Sequence, residues 1–289
     1  MSLRSISLCL PLLAGCLLVI APAARAQSGV SVSAASTSKK IYIFPTGPGT
    51  IIDSHSFQNA DPVSATVTAA SAEESNTIFA NSNGSATASA QIGRAQVSVA
   101  TQEFGGGSSN NQASSQWSKA LLITSSTLPF GAPAQITLTA HYTGSFSSFL
   151  SPSGFPMNFY SGEMFAGLSS TASLNGGAPV ALNYYGASHI PTLANDGALP
   201  MDITLTQTLN AQIGQTLLLT SSASLTDSVA GKFKETVTET GALAATFGAV
   251  PVDANVMLVR PAATPEPGAL LVMGSGLLAG LFLLRRRKV

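Results

Sequence analysis

Alternation with a period of two limits what this chain can fold into more than any other feature. Ile136, Leu138, Ala140 and Tyr142 are interleaved with Thr137, Thr139, His141 and Thr143, which sends the two sets to opposite faces of a strand. Met201, Ile203 and Leu205 alternate with Asp202, Thr204 and Thr206, and Leu217, Leu219, Ala223 and Leu225 keep the same phase. Further strands are expected over 64–69, 86–100, 119–126, 178–185 and 232–240, and no sustained helical period competes with them. Turn-rich pieces punctuate the runs at 45–49, 81–84, 105–111, 151–156, 175–177 and Asn195-Asp196-Gly197. One polar face per strand suits antiparallel pairing. The expected body is therefore all-β, an antiparallel β-sandwich or a jelly-roll-like fold, with the Ser/Gly/Asn-rich stretch 105–115 as a flexible loop.

Composition narrows the classes. With 45% hydrophobic and only 9% charged residues, the chain does not have the low hydrophobicity and high charge of a disordered protein. Between residues 27 and 264 seven basic side chains face twelve acidic ones, a net charge of −5. Nucleic acid is not an expected partner, because attraction to phosphate needs a basic surface. Both cysteines, Cys9 and Cys16, fall in the first 26 residues, so a processed body would contain no disulfide, thiol nucleophile or thiolate metal site.

The two ends read differently from the middle. Arg4 precedes an apolar run over 6–20, and Ala24-Arg25-Ala26 forms a small-x-small cleavage site before Gln27, the three-part layout of a secretory signal peptide over 1–26. Leu13-Ala14-Gly15-Cys16 has the form of a lipobox, but the apolar run continues through it to Ile20 and the Ala24/Ala26 site follows. At the other end, 268–284 is seventeen residues without a charge, closed by Arg285, Arg286, Arg287 and Lys288. As a helix it spans ~25 Å, enough to cross a bilayer core at the short end of the range. The basic cluster would then stay cytoplasmic and the body outside.

Immediately before that segment stands Thr264-Pro265-Glu266-Pro267. Pro265, Glu266 and Pro267, then one apolar helix, then an arginine-rich terminus, resemble the PEP-CTERM sorting signal, whose tail is also catalogued with ice-binding proteins. The resemblance implies recognition by an exosortase, a membrane enzyme that cuts near the motif and passes the protein to the cell surface or an exopolysaccharide matrix. Prolines keep the segment extended and short of donors, and Glu266 offers a single charge. The resulting plan is a signal peptide at 1–26, an exported β-rich body at 27–259, a linker at 260–264 and a sorting tail at 265–289.

The body offers little catalytic chemistry. His55, His141 and His189 have no metal-ligand spacing, and G-x-S-x-G, H-E-x-x-H, Walker-type and dinucleotide motifs are missing. His141 belongs to a polar strand face, while His55 lies near Asp53 and Asp61. Glu73-Glu74 suits a wet surface, and Trp117 and Tyr184-Tyr185 suit core packing over stacking on a sugar. Phe146, Phe149, Phe155, Phe159 and Tyr160 read as a folded-over loop. The Thr-x-Thr pairs at 66/68, 137/139, 204/206 and 236/238 have no common period and follow from strand propensity. No catalytic residue, metal ligand or cofactor is expected. The body reads as a structural or polysaccharide-associated component, with a polysaccharide hydrolase or lyase as the first alternative and a ligand- or ice-binding β protein as the second.

Overall fold

The computed structural model describes residues 28–40, 51–61, 64–74, 80–150, 160–184 and 197–261, and every regular element among them is a strand. The expected leader with Ala24, Ala26 and Gln27 lies outside the described residues, as do the sorting motif at 265–267, the apolar segment 268–284 and the basic cluster at 285–288. In chain order the strands are β1 (Gly29–Lys40), β2 (Ile51–Asp61), β3 (Ser64–Glu74), β4 (Ala80–Gln91), β5 (Arg94–Ser125) and β6 (Pro133–Leu150). They continue as β7 (Tyr160–Leu174), β8 (Val180–Tyr184), β9 (Gly197–Gln212), β10 (Thr216–Pro251) and β11 (Val256–Val259).

All pairings are antiparallel, and two very long strands organise them. β5 and β10, of 32 and 36 residues, pair with each other from 94↔246 to 122↔216. One half of this ribbon is flanked by β1 and β2 on one edge and β7 and β8 on the other; this is sheet I. The other half is flanked by β4 and β3 on one edge and β6 and β9 on the other; this is sheet II. Between the halves, Gly105 alone stands against residues 233–235 of β10, a bulge that bends a strand. The ribbon turns a corner there and the sheets stack face to face, so that Trp117 of sheet I meets Phe247 of sheet II with ring centroids 6.3 Å apart.

The core differs across its width. On the β6–β10 side it holds Trp117, Tyr142, Ile136, Leu138, Leu168 and Leu217, and the Tyr142 hydroxyl donates across the gap to the Leu182 carbonyl. On the β1–β4 side the buried residues are small, among them Ala34, Ala65, Ala69, Ala86 and Ala88. Small faces let sheets approach closely: Cα atoms of β1 come within 8 Å of those of β3 and β4, below the ~10 Å usual for stacked sheets. At Gly84 of β4 a Cβ would collide with the Asn111 amide on the opposite sheet.

Four expectations require correction. The stretch 105–115 is no loop but part of β5, paired with β1 and β10, because its small residues suit the close contact between the sheets. The run 86–100 is two strands joined by a turn at Ile92-Gly93, where Gly93 has φ 97°, a conformation that glycine adopts without strain. The turn expected at 81–84 lies within β4, and Phe146, assigned to a loop, is buried in β6.

Candidate functional site

The densest chemistry in the body lies inside it, next to the corner. Thr101 and Glu103 of β5 face inward from sheet II opposite Glu239 and Val237 of β10, while Ser109 and Asn111 face inward from sheet I opposite Val229 and Asp227. Ser36 Oγ donates to Asn111 Oδ1 at 2.5 Å, and Asn111 Nδ2 donates to Thr101 Oγ1 at 2.6 Å and Ser109 Oγ at 3.0 Å. Thr101 Oγ1 in turn donates to Asp227 Oδ2, and Asp227 is hydrogen-bonded to Glu239. Burial pushes the Asp227 carboxyl above its usual range, and hydrogen bonds from Glu239, Thr101 and Asn111 pull it partly back. Asp227 Oδ1 has no hydrogen-bond partner.

Two carboxyls joined by a hydrogen bond must share at least one proton. The cluster is thus a buried polar knot with a proton held between Asp227 and Glu239. Glu103, Asp227 and Glu239 are closed off from solvent, so no external substrate reaches them. Among the described residues no group of histidine, cysteine and carboxylate side chains has the geometry to hold a metal ion.

The candidates noticed in the sequence fall elsewhere. His141 is on the outer face of sheet II, with Nε2 2.8 Å from Asp202 Oδ1 at a half-exposed position. Trp117 is buried, and Tyr184 stacks on Tyr142 with centroids 6.5 Å apart. His189 and Tyr185 lie outside the described residues; for His55, Asp53, Asp61, Glu73 and Glu74 only the strand backbone is described. The four Thr-x-Thr pairs, separate in sequence, all belong to strands of sheet II and point outward.

That outer face carries a groove of about 350 Å³. Its origin lies in two rows of side chains running across the strands: Thr66, Ser89, Gln96, Ala244 and Thr143 in one, and Thr68, Thr87, Ser98, Ala242 and Ser145 in the next. The central strand β10 contributes only the methyl groups of Ala242 and Ala244, leaving a trough between taller neighbours. Thr87, Ser89, Gln96 and Ser98 line one bank, Thr143 lines the other, and Arg94 adds a guanidinium. No acidic or aromatic side chain lines it.

Comparisons with known proteins bear on the two parts of the chain unequally. No curated protein matches. Solved structures of infectious bursal disease virus, of the Gx and Gt strains, align over 86% and 87% of this chain and 73% of each viral chain, at 11% and 12% identity. Their TM-scores of 0.14 and 0.12 are too low to carry even the fold across. The body is matched by no family model. The tail is recognised: residues 263–288 match the model of the PEP-CTERM protein-sorting motif, and the chain carries that sorting signal, which implies recognition by an exosortase-type membrane enzyme.

Proposed function

We propose that this is an exported surface or extracellular-matrix protein, sorted through an exosortase-type system, whose body associates with polysaccharide without catalysing a reaction. The observation that carries the sorting reading is the match at 263–288. The signal peptide at 1–26 delivers the chain to the export machinery. The segment 268–284 holds it in the inner membrane, with Arg285, Arg286, Arg287 and Lys288 inside, until processing near Pro265-Glu266-Pro267 passes the body to the surface or the matrix.

Two features of the body support a binding role over hydrolysis or lysis. Hydrolysis of a glycosidic bond needs two carboxyls flanking a sugar in an accessible cleft, whereas Asp227, Glu239 and Glu103 meet in a sealed interior. The groove, in contrast, is open and lined by hydroxyls, an amide and one guanidinium. Hydroxyls and amides exchange hydrogen bonds with sugar hydroxyls, and a guanidinium grips a carboxylate with two parallel bonds. The fitting ligand is an uronate-bearing polymer, held weakly at each site and retained by many sites. The Thr-x-Thr pairs favour a second reading, an ice-binding face, but Ala242, Ala244, Arg94 and the His141–Asp202 pair break up its hydroxyl rows.

The sorting reading is tested by intact-mass analysis of the chain in hosts with and without an exosortase. A body ending near residues 265–267 is expected only when the enzyme is present; an uncut tail in both hosts makes the chain a plain membrane anchor. The binding reading is tested by affinity electrophoresis through polygalacturonate and through neutral dextran. Retardation by the uronate polymer is expected to weaken about tenfold in Arg94→Gln, the loss of one charge-assisted contact, and to disappear when Ala242→Trp fills the trough. Thermal hysteresis without retardation would favour the ice-binding reading.

A further inference from the structure

The end of the sandwich opposite the corner breaks the pattern of polar outer surfaces. Phe130 is 85% exposed, Val250 65%, Val252 58%, Met257 45% and Val259 37%. These residues come from three separate segments stitched into one end. Gly131 N–H donates to the Ile213 carbonyl and Val252 N–H to the Gln135 carbonyl, and β11 pairs with the last residues of β5. The sixth large apolar side chain exposed among the described residues, Phe165, stands apart on β7.

β11 ends opposite Leu122, three residues in from the end of β5, so the chain leaves the body near this same end, through Arg260 and Pro261, and only residues 262–267 separate that exit from the uncharged segment 268–284. Even fully extended, the connection from 261 to 268 reaches no more than ~25 Å. The arm of β10 from 216 to 231 alone runs about 50 Å. A body of that length on so short a tether has its exit end held beside the lipid. We propose that this end docks on the bilayer surface, with the five apolar side chains in the interfacial layer, the exposed Arg260 among anionic headgroups and the sandwich standing away from the membrane. This inference rests on reading 268–284 as a membrane span.

Docking fixes the height at which the chain meets the membrane and so holds the Pro265-Glu266-Pro267 segment within the layer where a membrane enzyme works. Asp253, the acid nearest the patch in sequence, accepts hydrogen bonds from Asn255 N–H and Nδ2 within its own turn, which directs its carboxylate to the turn.

The test places the full-length chain, with Cys9→Ser and Cys16→Ser, in vesicles of phosphatidylethanolamine and phosphatidylglycerol. An environment-sensitive fluorophore is attached at Val252→Cys in one sample and at Asn110→Cys, near the corner, in another. The expected result is a blue-shifted emission at 252, with quenching by headgroup-labelled nitroxide lipid at least threefold greater than at 110. Adding Val250→Ser and Met257→Ser should remove most of that difference without moving the melting temperature. Equal quenching at the two sites, in a chain that resists carbonate extraction, would overturn docking and leave the membrane span standing. A chain that carbonate washes off would overturn both.

Discussion

The two ends of this sandwich invert the usual distribution of polarity. At the corner, Asp227, Glu239 and Glu103 are buried, and Ser36, Asn111 and Thr101 form a hydrogen-bonded chain leading to Asp227. At the opposite end Phe130, Val250, Val252 and Met257 stand in solvent. Burying acids costs free energy unless they are neutralised and hydrogen-bonded, and an apolar end gains nothing from water. Such a pair of departures marks two separate constraints. The corner must join two sheets through strands too close for large side chains, and small hydrogen-bonded polar groups fill that gap. The open end is where the chain departs toward its sorting tail.

If this contrast is right, substitutions at the two ends should differ sharply in cost. Asn111→Leu removes the amide that links Ser36, Ser109 and Thr101, and should destabilise the body by about 3–5 kcal/mol in urea unfolding. A loss under about 1 kcal/mol would mean that the knot does not hold the corner together.

Next in size is a dependence on pH. The Asp227 carboxyl is raised above its ordinary value of 3.8 by burial, so its folded form prefers the proton. Its contribution to stability is complete below 3.8 and is lost as pH climbs through the raised value. The melting temperature of the parent chain should therefore fall between acidic and neutral pH, whereas Asp227→Asn, which needs no proton, should flatten that slope. A parent profile that rises with pH over the same interval contradicts a protonated corner.

The smallest effect belongs to the open end: Val250→Ser with Val252→Ser should change stability by no more than about 0.5 kcal/mol, since neither side chain is packed. A larger loss would show that this end is part of the core and sharpen the contrast in the other direction.

The alternation at 136–142, 201–206 and 217–225 was legible in the sequence because those strands carry large apolar residues on one face. The stretch 105–115 was not, since a strand whose inward positions are Ser109, Asn111 and Ala113 has the composition of a loop. The buried acids left a signal that composition hides. Asp227 falls in phase with Leu225 and Val229, and Glu239 in phase with Val237, so each acid occupies a position that alternation assigns to the interior. The groove had no local signature, because its walls come from three strands and its floor from two alanines of a fourth. The sorting motif was readable for the opposite reason: its parts are contiguous.

The pairing of β5 with β10 also governs when the body can fold. β10 begins more than ninety residues after β5 ends, yet it is the central partner of both sheets and binds β5, β6 and β7. Contacts so distant along the chain form slowly, and the hairpins made before residue 216 have no middle strand to close on. A chain threaded through a membrane from its amino terminus must keep nearly its whole body unfinished until β10 emerges. The strand that completes the fold is also nearly the last to arrive before the sorting tail, so completion of the sandwich and presentation of the tail fall close together in time.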